Sequence, residues 1–257
     1  MSIASVARRI APALAALAVA TLPHLARADG DPSALLAEAD AAYARRDEPG
    51  ALDQVREKLA AAEAQAPEAY DVLWRLARLA FWQADDPALP KAERSELGKR
   101  AWEYGDRATR ADPTRVEGWH FAAAGVGSYA LGIGVFRALR EGIEGKFKER
   151  LSRAEAIDPD YSGGAIQTAW GRFWFELPWP KYDADKAQRA LEAALSKNPD
   201  NVRAHLYLAE LWVKEGHRGR ARGELAKALA HPPGRYDPPE ERRAQALARA
   251  DLERLGG

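Results

Sequence analysis

Apolar side chains recur three and four positions apart along almost the whole chain beyond residue 30, as in DVLWRLARLAFW, AQRALEAALSK and RAHLYLAELWVKEG. This spacing places them on one face of a helix, and no run shows the strict alternation of a half-buried strand. The stretches are filled by Ala, Leu, Glu, Arg and Lys, which give up little side-chain freedom on entering a helix. The pattern predicts an all-α fold.

Proline punctuates the helical pattern at regular intervals. Pro67, Pro113, Pro159, Pro199 and Pro233 each follow a charged helical stretch, at spacings of 46, 46, 40 and 34 residues. A repeat of about 34 residues closed by proline is the signature of a helix hairpin that stacks on its neighbours into a solenoid. In the last unit His205, Leu208, Ala209 and Trp212 stand on the leading helix, Gly216 in the turn, and Ala221, Leu225, Ala228 and Pro233 on the trailing helix. Small residues at Ala209, Ala221 and Ala228 let two backbones approach while larger ones fill the space beside them. The unit before it repeats the arrangement with Gln167, Trp170, Gly171 and Trp174, then Ala187, Leu191, Ala194 and Pro199.

Two earlier units are longer. The small residue of the leading helix, Ala77 or Ala123, lies 24 residues ahead of the first packing position of the trailing helix, Ala101 or Phe147, against 12 in the last unit. About three helical turns have been added, as longer helices or an ordered connection. Gly105 occupies a place where a large packing residue is expected, which makes that hairpin's packing an open question. A weaker hairpin opens the array, with Ala37 to Tyr43 leading and Val55, Leu59 and Ala62 trailing. Residues 238–255 form one amphipathic helix expected to cap the far end with a polar face. The solenoid domain is expected over residues 29–257.

The first 28 residues read differently. Arg8 and Arg9 precede the apolar run IAPALAALAVATLPHLA, and Ala26-Arg27-Ala28 is a small-x-small site. The segment is expected to be a secretory signal cleaved near Ala28, leaving a secreted or periplasmic protein with no stable membrane insertion. The alternative is an uncleaved anchor helix. The chain carries 38 basic and 38 acidic side chains; removing three Arg and no acid would leave 35 against 38, a charge of −3. Such a balance argues against nucleic acid as a partner. The absence of Cys excludes disulfides, thiol catalysis and Cys-anchored lipids.

The hairpin pattern identifies the chain as similar to tetratricopeptide repeat proteins. Its exported character, its long irregular repeats and the run from YDVLWRLAR through WGRFWF resemble the T-component of tetratricopeptide-associated TRAP transporters. That resemblance implies a periplasmic helical scaffold that partners a solute-binding component, helps present small ligands and self-associates around a pore. The missing Cys departs from the members of that family that are lipoproteins. A second resemblance, through LWRLAR, FKERLSRAEAIDP and GRFWF, is to the regulators of microtubule dynamics, and implies a shared fold rather than a shared role.

Few motifs carry chemistry. His24, His120, His205, His217 and His231 are scattered, without the paired spacing of a zinc hydrolase. EGIEGK lacks the upstream Gly and the Ser or Thr of a phosphate loop, and GVGSYALGIG lacks both the spacing and the strand of a dinucleotide loop, so its glycines are expected to serve close helix contacts. No cofactor, metal or catalytic residue is expected.

Projecting the leading helices onto the inner wall of a solenoid gives three rungs. Trp74, His120, Thr168 and Leu206 stand on the first, Arg78, Ala124, Arg172 and Glu210 on the second, and Phe81, Gly127, Phe175 and Val213 on the third. Guanidinium forks and aromatic rings on such a wall suit a protein segment or a small acidic ligand. On this reading Arg78→Ala and Arg172→Ala weaken capture without loss of stability. The competing reading pairs these arginines with acids such as Asp71 and Glu117. Trp179 and Tyr182 lie in a Pro-punctuated insertion where the repeat needs no rings, and are candidates for partner contact. The function expected is a non-catalytic binding scaffold. A hydrolase or transferase on a helical scaffold, or a self-assembling homo-oligomer, are the alternatives.

Overall fold

The computed structural model describes residues 31–230, 232–234 and 236–256, and the export segment read at residues 1–28 lies outside them. The described residues are helical throughout, with no strand. The pairs run α1 (Ser33–Tyr43) with α2 (Ala51–Gln65) and α3 (Tyr70–Ala84) with α4 (Lys91–Ala111). Next come α5 (Val116–Ile133), the short α6 (Val135–Arg140) and α7 (Ile143–Ile157). Then α8 (Ala165–Glu176) pairs with α9 (Ala184–Lys197), α10 (Val202–Lys214) with α11 (Arg218–Ala230), and α12 (Pro238–Arg254) follows.

Local chemistry sets these boundaries. The side chains of Asp183, Asn201 and Asp237 accept hydrogen bonds from the backbone N–H groups of Lys186, Ala204 and Glu240, and so cap α9, α10 and α12. Each such cap stabilises its helix by about 1 kcal/mol. Gly216 turns the chain between α10 and α11 at φ 81°, a conformation that costs a residue with a Cβ more than glycine. The small residues read as contact points are fully shielded: Ala77, Ala101, Ala108, Ala187, Ala194 and Ala221 have no exposed surface. Leu73, Leu151, Leu191 and Leu225 fill the spaces between them.

The added turns of the two long units take two forms. α4 extends to 21 residues and α5 to 18, and α6 is inserted between α5 and α7. Glycines join α4 to α5. A Cβ on Gly125 would stand 2.3 Å from the backbone nitrogen of Trp102, and one on Gly98 would stand 2.4 Å from that of Tyr129. Gly105 answers the question raised by the sequence: a Cβ there would meet the backbone of Ala122 at 2.6 Å, so a bulky residue is replaced by direct backbone approach.

The array does not end in an isolated cap. α12 packs on α10 and α11 and also reaches back to the first two hairpins through arginine side chains. Arg46, after α1, pairs with Asp237 at 2.7 Å, and Arg242 pairs with Asp47 at 2.5 Å. Arg243 donates to the Trp82 carbonyl at 2.9 Å and lies 3.2 Å from the centre of the Trp82 ring. Arg203 on α10 bridges Asp85 after α3, at 2.9 Å, and Glu240 on α12, at 2.6 Å. The solenoid therefore curls until its last helix meets its beginning, and the expected polar outer cap is instead the closing segment of a ring.

Candidate functional site: the central hollow

The leading helices face a common hollow of about 540 Å³, lined from α3, α5, α8 and α10 and from α6, α7 and α12. Of the residues projected onto the inner wall, Arg78, Phe81, His120, Thr168, Arg172 and Glu210 line it, together with the small residues Ala124 and Gly127. Trp74, Leu206, Phe175 and Val213 do not: Leu206 is fully buried in the core, and Val213 is exposed on the outside. Trp74 is buried between helices, stacked on Phe121 with ring centres 6.2 Å apart, and its indole donates to Asp71. Phe175 lies one residue from the end of α8, where Lys214 caps its carbonyl at 2.9 Å and crosses its ring. The third rung fails in both of the last two units, where Phe175 and Val213 stand one residue from the ends of α8 and α10.

Both arginines projected onto the wall are already paired with acids, though not with Asp71 or Glu117. Arg78 donates to Asp40 on α1 at 2.5 Å and stacks on Tyr43 at 3.8 Å. Arg172 pairs with Glu176 at 2.6 Å and with Glu210. Burial works against the Arg172 charge, but Tyr207, Glu210 and Glu176 outweigh it and hold its proton more firmly than usual. Asp71 and Glu117 are taken by Arg115, at 3.1 and 3.3 Å.

His120 is the unusual member of the wall. Its ring sits 5.0 Å from the ring centres of both Phe121 and Tyr161, and its Nδ1 is buried without a hydrogen-bond partner. Desolvation lowers its pKa to about 4, so the imidazole is neutral at physiological pH. His205, by contrast, is fixed in the core, with Nδ1 2.7 Å from Glu224 and Nε2 2.9 Å from the Pro199 carbonyl.

Several wall residues escape the sequence projection. Tyr43 and Arg46 come from the first hairpin, whose weak pattern left it out of the rung count. Tyr161 stands in the 3-10 turn before α8, and Arg203, Tyr207 and Glu240 face the hollow only because the array closes. Tyr43 is pushed up to about 12 by burial, and burial also raises Tyr161. Both phenols are therefore protonated donors.

The wall is chemically mixed. Leu131, Val135, Leu139, Ile143, Phe147 and Phe173 give an apolar stretch from α5 through α8, and charged and phenolic groups enter from α1, α3, α8, α10 and α12, with Glu144 on α7. Outside the hollow, Trp179 is 87% exposed in the loop after α8. Tyr182 in the same loop is pinned, donating to Glu215 at 2.6 Å with Lys214 3.7 Å from its ring centre. Of this pair of loop rings, Trp179 alone is free. Among the described residues no group of three or more His, Asp or Glu gathers as a metal site, and no helix is long and apolar enough to cross a membrane.

Residues 181–251 match the sequence pattern of the family described as Tetratricopeptide repeat. Among solved structures the chain is similar to TTC0263, a thermophilic TPR protein of Thermus thermophilus, with a TM-score of 0.65 and 21% identity over 86% of this chain and 100% of that one. It also aligns with the MamA protein, at a TM-score of 0.47 and 16% identity over 77% of this chain and 90% of that one. No curated protein matches it significantly. Residues 181–251 thus resemble tetratricopeptide repeats, and the described residues have an all-helical, tetratricopeptide-like solenoid fold.

Proposed function

We propose that this chain is a non-catalytic scaffold that captures a small acidic ligand in its central hollow and offers its exterior to a protein partner. The observation that carries the reading is the hollow itself: about 540 Å³ walled by an apolar stretch and by charged and phenolic groups, within the size range of sites for small ligands. A closed ring favours a small molecule over a threaded peptide, because the polar clasp between α12 and the first two hairpins crosses the path that an extended chain would take. Trp179, exposed on the insertion, is the residue we assign to partner contact. The sequence features of residues 1–28 support export, and the likeness to the TRAP-associated T-component supports a solute-binding component as the partner.

Native mass spectrometry of the chain purified from its own cells under mild conditions tests this reading. The expected result is a small-molecule adduct that disappears in Ala124→Trp, which fills the hollow while leaving the helical circular dichroism intact. A folded wild-type protein without adduct, or an adduct that survives in Ala124→Trp, overturns it. A second reading, a self-assembling scaffold, is favoured by the fold alone; light scattering of the purified chain reads its native mass.

A further inference from the structure

The hollow is short of free carboxylates. Every carboxylate on its wall is engaged: Asp85 and Glu240 by Arg203, Asp237 by Arg46, Glu176 and Glu210 by Arg172, and Glu144 by Lys148 and Lys181. Glu241 accepts from the backbone N–H groups of Gly234, Tyr236 and Asp237. Donors, in contrast, are left over. Among the described residues the hydroxyls of Tyr43 and Tyr161 have no hydrogen-bond partner, although both side chains line the hollow and are largely shielded from bulk water.

These two phenols belong to one cluster. Arg78 stacks on Tyr43 at 3.8 Å, His120 lies against Tyr161 at 5.0 Å, and both Arg78 and Tyr43 are near enough to Tyr161 to influence its hydroxyl electrostatically. Four elements, α1, α3, α5 and the turn before α8, thus converge on a spot with two phenolic donors, a neutral imidazole and one guanidinium, whose far edge is paired with Asp40. A buried donor left without an acceptor is costly, so the spot favours a group that only accepts. An ionised carboxyl offers about four lone-pair sites and no donor.

We infer that the ligand of the hollow is an amphipathic carboxylate, its head held by Tyr43, Tyr161, His120 and Arg78 and its apolar body laid against Leu139, Ile143, Phe147 and Phe173. This rests on the reading that the hollow binds a small ligand, and it adds the ligand's chemistry and its direction. The head meets charge and hydroxyl donors at one end, and the body displaces water from apolar walls at the other. An ammonium head would meet Arg78 as a like charge, and an ester would offer the two phenols fewer and weaker acceptor sites than an ionised carboxyl.

Isothermal titration of the full chain with decanoate, methyl decanoate and decylamine tests the assignment. Decanoate is expected to bind at least about tenfold more tightly than either analogue, and Tyr43→Phe with Tyr161→Phe to weaken it by about tenfold through two lost hydrogen bonds. Leu139→Asp, on the short exposed α6, tests the other end independently and is expected to abolish decanoate binding. Equal binding of all three probes, or unchanged decanoate binding in both the double variant and Leu139→Asp, overturns the carboxylate assignment while leaving a ligand-binding hollow in place. Failure of decanoate to bind also overturns it. The hollow reading falls separately, with the absence of a native adduct.

Discussion

Arg46 and Asp237 stand 191 positions apart, and Arg46 Nη2 reaches the Asp237 carboxylate at 2.7 Å. The pair is lopsided: the Arg46 side chain is 3% exposed and that of Asp237 is 40% exposed. Arg46 is also sandwiched between the rings of Tyr43 and Trp82, at 4.1 and 4.0 Å. The guanidinium thus works as a packing element as much as a charge, and it ties the first hairpin to the start of α12.

Replacing Arg46 by Ala removes the pair and leaves a gap between two aromatic rings. Asp237 can rehydrate, so the loss is set mainly by packing, at about 2 kcal/mol. Chemical denaturation should show this loss. Small-angle scattering should show a larger radius of gyration as the ring opens, whereas an unchanged radius would mean that the helical stacking alone holds the curvature.

Arg172→Ala behaves differently from what a ligand-facing arginine on an open wall would show. Glu176 and Glu210 both lean on Arg172, and without it two carboxylates face each other in a partly buried site. A loss of about 2 kcal/mol is expected. Adding Glu210→Gln to the same variant should restore roughly half of it. A melting temperature equal to wild type in the single variant would contradict the pairing.

Acid should weaken the fold through His120. Its pKa is lowered to about 4 in the folded chain against about 6.5 when unfolded, so the unfolded state binds the proton first. Stability is full above about pH 6.5 and is lost as pH falls toward 4. The whole shift corresponds to roughly 3 kcal/mol, and because part of the ring faces the hollow, water there reduces the expected loss below that figure. His120→Phe should flatten this part of the stability profile. An identical pH dependence in the variant would place the titration elsewhere.

Gly125→Ala tests the seam between the two longest helices. A methyl group there would enter within 2.3 Å of the Trp102 backbone nitrogen, with the Gly98 carbonyl oxygen 2.8 Å away. Neither atom can move without separating α4 from α5, so a loss of about 3 kcal/mol is expected despite the gain in helix propensity. Gly145→Ala, where a Cβ meets nothing within 4 Å, is the matched control and should stabilise slightly.

Much of the helical architecture is legible in the sequence because the packing rule is local. Ala209, Ala221 and Ala228 recur at fixed spacing on two adjacent helices, and the same spacing recovers Ala187 and Ala194 one unit earlier. The inner wall is legible as far as each unit obeys that geometry, which is why Arg78, His120 and Arg172 can be placed from their rung while Phe175 and Val213, one residue from the ends of α8 and α10, cannot. Closure is not legible at all. Nothing near Arg46 or Arg203 in the chain announces Asp237 or Asp85, because the curvature that brings them together accumulates over every intervening hairpin. The donor cluster is hidden for the same reason: Tyr43 and Tyr161 belong to no common repeat position.

Closure also makes the number of hairpins a fixed property of the molecule. In an open solenoid each unit touches only its neighbours, so a unit can be gained or lost and the remainder still stacks. Here the turn angles must sum to one circuit for Arg203 to span from Asp85 to Glu240. A duplicated or deleted repeat would leave the two ends out of reach of one another, and the chain can lengthen only within a unit, as the extended α4 and the inserted α6 have done.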